Sequence, residues 1–338
     1  MPILNPFATD AFSLHALVEA INILPNNYGK INQSGLFPEK PVRTRNIMIE
    51  QKNGVLNLLQ TLPVGSPGQK NKMGLRDVRS FVIPHIPLDD VILPQEYDGL
   101  RAFGTESELA TLASIMNEHL QTMKDKHMIT LEYQRMGALQ GVVYDADGSV
   151  IYDYFKEFLI QRKAVDFLLG TATTDILKKC TEVKRHMETN LHGEIMNGIR
   201  VLVDKDFWDA FITHAVVQTA YTRWRDGEAL RTDQRSGFPF GGLIFEEYEG
   251  TATTFAGVER KFLASKDGVA YPTGTRNVFK TFVAPADFLE TVNTMGKLLY
   301  AKQEARRFNR GIDLHTQSNH LSMCMRPALS VRVYTSTT

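Results

Sequence analysis

The stretch from Pro41 to Pro84 constrains this chain most. It reads PVRTRNIMIEQKNGVLNLLQTLPVGSPGQKNKMGLRDVRSFVIP and sustains no helical period. Ile47 and Ile49 alternate with Asn46, Met48 and Glu50, the period of a half-buried strand. Asn53-Gly54 is a two-residue turn signal, and Val55, Leu56, Leu58 and Leu59 after it predict the returning strand of a hairpin. Pro63, Gly65, Pro67 and Gly68 then stiffen the chain, and Lys70, Lys72, Arg76 and Arg79 lead into Phe81-Val82-Ile83. A lone two-stranded ribbon is marginal in water. This one therefore needs a surface, either the same chain's body or another copy, and the alternation does not choose between them. The basic run reads as a solvated loop or as a contact for an acidic surface, with Glu246, Glu247 and Glu249, or Glu106 and Glu108, as counterparts. It has no interleaved aromatics on which nucleic-acid bases could stack.

The flanking segments point the same way. In residues 1–40, Asp10 caps a short apolar helix carrying Phe12, Leu14, Leu17, Val18 and Ile21, which Pro25, Asn26, Asn27 and Gly29 end. This is too little for a domain and predicts an arm that packs on something else. Residues 104–140 predict one long helix. Thr105 and Glu108 form a capping box, and Leu109, Leu112, Met116, Leu120, Met123, His127, Leu131 and Met136 make one stripe. Such a helix reads as a beam rather than a core element, closed by Gly137 and Gly141.

Residues 141–160 predict a hairpin turning at Asp147-Gly148, without the further oxygen ligands of a calcium loop. Helices are expected over Thr174–Leu191 and from Asp206 to Tyr221, with a polar loop over 223–237. Strands are expected at Ile199–Val203, Phe238–Phe245 (kinked at Gly241-Gly242), Val269–Tyr271, Val278–Val283, Ile312–Thr316, Leu321–Met325 and Leu329–Tyr334. A short helix is expected from Pro285. Helices and strands do not alternate regularly, so the class is α+β.

Chemistry is hard to find in this sequence. Phosphate-loop, dinucleotide, HExxH and GxSxG patterns are absent. Ser66 sits among glycines but is followed by Pro67 rather than a helix. His186 and His192, and His315 and His320, miss the spacing that pairs two ligands on one helix face. His119 and His127 are two helical turns apart, and His214 reads as a packed residue. Cys180 and Cys324 stand far apart, which argues against zinc and for a reducing compartment. The reading is therefore not an enzyme, with no catalytic, cofactor-binding or metal residues. The 38 basic and 38 acidic side chains cancel, which disfavours a nucleic-acid reader and permits dense self-association. The opening MPILNPFATDAF lacks the pattern of a signal peptide, and no run reaches the ~18–20 apolar residues of a membrane span, so no membrane partner is expected.

The order of the parts resembles the major capsid protein of tailed bacteriophages, in the lambda-type major capsid protein E family with its Hong Kong 97-like fold. The ribbon from Ile47 to Leu59, followed by Gly65-Ser66-Pro67-Gly68 and Arg76 to Phe81, carries part of the likeness. So do Gly141 with Asp145–Ile151, and Phe238–Gly242 with Phe245, Glu246, Tyr248 and Gly250. Pro285-Ala286-Asp287, Asn293–Gly296, Tyr300-Ala301-Lys302 and Ser318–Leu321 through Pro327 complete it.

The resemblance implies an N-terminal arm (1–35) and an extended loop, or E-loop (36–85). It implies a peripheral domain (86–165 and 300–326, spine helix 105–140) and an axial domain (166–299 and 327–338), with loop 223–237 at the capsomer centre. Ile47, Ile49, Val55, Leu56, Leu58, Lys70, Lys72, Arg76 and Arg79 would then make inter-subunit contacts. The function implied is self-assembly into pentamers and hexamers of an icosahedral head around double-stranded DNA, touched without sequence preference. Partners would be further copies, a separate scaffolding protein, the portal and a decoration protein, with assembly in the host bacterial cytoplasm. A lysine–asparagine crosslink, present in one relative, is not expected, because no matched asparagine and glutamate are identifiable. The alternatives are an encapsulin-like nanocompartment shell and a soluble enzyme with an unrecognised site.

Overall fold

The computed structural model describes residues 14–23, 29–52, 76–96, 108–223 and 234–336. The main core forms around a six-stranded mixed sheet. Its strand order is Ala164–Asp166, Val331–Tyr334, Asp267–Thr273, Gly198–Val203, Leu243–Glu247, Phe238–Phe240. Consecutive residues of its central strands are buried: Val201, Leu202 and Val203 on one, Val269, Ala270 and Tyr271 on the next. Successive side chains of a strand face opposite ways, so both faces of this sheet are covered. An aromatic cluster fills the space between sheet and helices. Phe211 stacks on Phe245 at 4.3 Å and meets Phe238 and Phe240 edge-on, while Phe207 meets Phe167.

Two three-stranded sheets adjoin the body. One joins Glu39–Pro41, Phe279–Val283 and His320–Cys324; the other joins Tyr300–Ala305, Ile312–Ser318 and Ile86–Ile92. One extended path crosses between them at Asn319. There Thr316, Gln317, Ser318, Asn319 and His320 are all fully buried although all are polar. Hydrogen bonds pair most of their polar atoms, though Gln317 Oε1 and His320 Nε2 are left without a partner among the described residues. Ser318 Oγ donates to Leu298 O (2.9 Å), Asn319 Nδ2 to Pro285 O (2.8 Å) and Gln317 Nε2 to Asp287 Oδ1 (2.8 Å).

The long helix runs over Glu108–Gln140, about 50 Å at 1.5 Å per residue. It is more than a beam. Met116, Leu120, Met123, Met128 and Leu131 share one cluster with Leu17, Ile21, Ile92 and Leu314, and Met136, Ala138 and Leu139 enter the main core. Burial extends to Lys124, Glu132 and Arg135 beside the stripe. Their polarity hides this from a periodicity argument, because each is housed by a specific partner rather than by an apolar stripe. Lys124 Nζ donates to Ile21 O (2.8 Å), and Arg135 Nη1 to Asn32 Oδ1 (2.9 Å).

Several other expectations need correction. The kink at Gly241-Gly242 is a two-residue reverse turn, with both glycines at positive φ (61° and 81°) and the flanking strands antiparallel. The helix from Asp206 to Tyr221 is two helices, Lys205–Thr213 and Ala215–Arg223, because His214 adopts extended backbone (ψ 132°). Asp204, not Asp206, caps the first. No helix starts at Pro285; a single 3-10 turn, Leu289–Thr291, takes its place. Loop residues 224–233 and the capping-box Thr105 lie outside the described residues. No described helix is long and apolar enough to cross a membrane.

Candidate assembly surface

The ribbon forms, but not with the expected return strand. Asn46–Lys52 pairs antiparallel with Arg76–Val82, Ile47 opposite Phe81, Ile49 opposite Arg79 and Lys52 opposite Arg76. A tight turn at Asn53-Gly54 would have set Lys52 opposite Val55. The register follows the apolar face instead, because a one-residue slip in pairing would turn every side chain over.

The two faces of the ribbon differ. On the inner face Ile47 and Ile49 are each 7% exposed and Phe81 is fully buried. They join the main core beside Tyr154 and Phe158, with Phe81 5.3 Å from the Tyr152 ring and 6.3 Å from the Tyr154 ring. Arg79 lays its guanidinium over Phe158, 4.9 Å from the ring centre. Tyr152 also pins the ribbon's edge, accepting from Val82 N (2.8 Å) and donating to Val82 O (3.0 Å). On the outer face Met48 is 75% exposed, and Val78 and Val82 are more than half exposed. Ile47, Ile49 and Arg79 thus have partners in their own chain, and the exposed apolar residues are Met48, Val78 and Val82 beside them. Of the other residues expected at an interface, Arg76 begins the second strand, and Val55, Leu56, Leu58, Lys70 and Lys72 lie outside the described residues.

The arm helix, Leu14–Ile23, is likewise housed by its own chain. Leu17 and Ile21 pack into the long helix's cluster, and Val18 packs with Ala286 and Tyr300. Lys124 reaches the carbonyls of Ile21 and Asn22, where the negative end of the helix dipole favours a cation. Further along, the backbone N–H groups of Ile31 and Asn32 donate to the Glu132 carboxylate, both at 2.8 Å, and Tyr248 OH donates to it at 3.0 Å.

Of the acidic counterparts expected for the basic run, Glu246 is engaged inside the chain. It is buried and paired with Lys30 (2.5 Å) and with Arg200. Glu247 has Arg235 at 4.0 Å, Glu249 is exposed, Glu108 opens the long helix, and Glu106 lies outside the described residues.

The titratable groups serve the fold. His119 stands between two carboxylates, Nδ1 2.8 Å from Asp90 and Nε2 3.0 Å from Glu96. Burial lowers its pKa, but hydrogen bonds and charge from Asp90 and Glu96 outweigh that and raise it. Burial, with His315 nearby, lowers His127 to about 4. Burial, with Arg135 and His127 nearby, lowers His320 to about 3. Burial pushes both thiols, Cys180 and Cys324, up to about 12, so neither is a ready nucleophile. His214 is buried, its Nε2 3.2 Å from Thr171 O. Among the described residues no three His, Cys, Asp or Glu side chains converge as metal ligands.

Among the described residues, the titratable groups are engaged in holding the fold, and the ribbon shows apolar side chains on its outer face. The family model for phage major capsid protein E matches residues 13–335, and the chain belongs to that family. It is 29% identical to the major capsid protein of Pseudomonas phage KPP10, over 97% of this chain and 98% of that one. It is also 29% identical to the major capsid protein of Salmonella phage Felix O1, over 95% and 96%. Among solved structures, the mature capsid of bacteriophage PhiM1 matches with a TM-score of 0.52 at 14% identity, covering 94% of this chain and 89% of that chain; this shows a shared fold. The protein is a structural component of a phage shell, and these matches favour that reading over a nanocompartment or a soluble enzyme.

Proposed function

We propose that this chain builds the phage head as pentamers and hexamers of an icosahedral shell, divided as its sequence suggests. Residues 1–35 act as the arm and 36–85 as the extended loop. Residues 86–165 with 300–326 form the peripheral domain around the long helix, and 166–299 with 327–338 the axial domain. The observation that carries this is the one-sided ribbon. Ile47, Ile49, Phe81 and Arg79 anchor its base. The outer face with Met48, Val78 and Val82, and the distal residues Val55, Leu56, Leu58, Lys70 and Lys72, meet the neighbouring subunit. Arg76 begins the second strand of the ribbon and is counted with them. Burial of apolar surface at about 25 cal/mol per Å² drives joining, and repetition of one unlike-to-unlike contact closes rings. The interior touches packaged double-stranded DNA without sequence preference, and a separate scaffolding protein, the portal and a decoration protein complete the head in the host cytoplasm. The chain does this without catalysis.

The register supplies a clean test. Deleting 55–75 leaves Asn53-Gly54 to join Lys52 to Arg76 as a two-residue hairpin turn. The variant is expected to keep the melting temperature of the full chain and to form no particles by electron microscopy. Closed particles from it would refute the role given to the loop.

A further inference from the structure

Resting on the shell reading, we propose that loop 286–295 of one copy seats in a groove of a second copy, between the long helix and hairpin 251–261. The loop is a braced apolar knob. Thr291 Oγ1 donates to Ala286 O (2.7 Å), Thr294 Oγ1 donates to Thr291 O (2.7 Å), and Gly296 N donates to Val42 O (3.0 Å). Gln317 holds Asp287 at 2.8 Å, and Asn293 closes the turn at positive φ (61°). A backbone fixed in this way would be expected to tuck its apolar side chains inward. Instead Leu289 is 90% exposed, and Val292 and Met295 are exposed beside it. Apolar groups displayed on a pre-ordered loop lose little freedom on docking, which is how a rigid knob favours association.

The groove offers the complementary shape and charge. It has a volume of about 330 Å³, with Ile129, Tyr133, Ala146 and Ala252 along it and Phe255, 89% exposed, as its free wall. That volume is at the low end of the ~300–1,000 Å³ of small-molecule sites, suited to one or two apolar side chains. Two cations rim it. Lys126 lies 5.6 Å from the centre of the Phe255 ring. Arg260 donates to the carbonyls of Ala146 (3.3 Å) and Asp147 (2.5 Å) rather than to a carboxylate. The nearby carboxylates of Asp145 and Asp147 are turned back onto amides of their own turn, Ala146 N and Ser149 N, each at 2.7 Å. The knob carries Asp287, with His85 Nε2 3.9 Å away, and Glu290, reached by Lys302 at 2.8 Å. An acid-flanked apolar knob and a base-rimmed apolar groove are complementary in the sense that fixes orientation between protein surfaces. Knob and groove are different patches, so the contact joins copies head to tail and not face to face.

The test is crosslinking within assembled particles. Cys180 and Cys324 are buried, so engineered thiols report with little background. Leu289→Cys and Phe255→Cys chains, each made alone and then co-assembled, are oxidised and run on a non-reducing gel. The expected result is disulfide-linked dimers from the mixture, none from either variant assembled alone, and a longer ladder from the chain carrying both substitutions. Particles that assemble yet give only monomers would overturn this contact and leave the shell reading standing. Wild-type protein that never assembles, even with its scaffolding protein supplied, would overturn both.

Discussion

The six-stranded sheet and the Asn46–Lys52 ribbon use the same residue types differently. In the sheet, Val201, Leu202 and Val203 are buried in succession, as are Val269, Ala270 and Tyr271, so every side chain has company whichever way it points. In the ribbon, Ile47 and Ile49 are buried while Met48 between them is 75% exposed. The sheet is covered on both faces, whereas the ribbon, among the described residues, is covered on the face that rests on Tyr152, Tyr154 and Phe158. The contrast shows how a shell subunit can be stable alone and still adhesive. On the proposed reading, its folding energy comes from elements covered on both faces, and its tendency to assemble comes from an element covered on one.

The contrast is broken or sharpened by substitutions on its two sides. The largest effect on folding is expected from Phe211→Ala, which empties the space between Phe245, Phe238 and Phe240. It should cost about 3–5 kcal/mol in urea or thermal unfolding. Acid should act on the same closed body. His127 and His320 are held neutral at about 4 and about 3, below the ordinary value near 6.5. The unfolded chain therefore takes up protons first, and stability falls as pH drops from about 6.5 towards 3. A pH series of melting temperatures that stays flat over this window would contradict their burial.

On the ribbon's inner face, Ile47→Asp places a charge among Phe81, Tyr154 and Phe158 and should cost about 2–4 kcal/mol in denaturant unfolding. Glu132→Gln leaves the amides of Ile31 and Asn32 a weaker acceptor. It should cost about 1–3 kcal/mol, and proteolysis should begin in the first forty residues. The smallest effect on folding belongs to Met48→Asp on the outer face, within about 0.5 kcal/mol, together with loss of particles in sedimentation. Should Met48→Asp assemble normally, the outer face is a solvated surface and the comparison fails.

Much of the fold was legible in the sequence because periodicity is a local property. The long helix, the hairpin at Asp147-Gly148 and the final strands all lie close to their expected positions. The misreadings share one cause. Asn53-Gly54 is a good local turn signal, yet the ribbon pairs with residues beyond it because Phe81 suits the inner face. The long helix reads as a beam because Lys124, Glu132 and Arg135 look like solvent-facing residues; each is housed by a partner about a hundred positions away. The knob at Leu289 and the groove at Phe255 carried no signal, since an isolated apolar residue in a loop is as often tucked in as exposed.

By itself the sequence determined the inventory of this protein: an arm, a ribbon, a long helix, a set of strands, and a family resemblance carried by their order. It could do so because turn chemistry, capping and alternation are decided by neighbours in the chain. Only the tertiary structure decided which apolar residues are satisfied at home. Ile47 and Met48 are adjacent and similar in hydrophobicity, and which of them faces the body depends on surfaces contributed by Tyr152, Tyr154 and Phe158, roughly a hundred residues away.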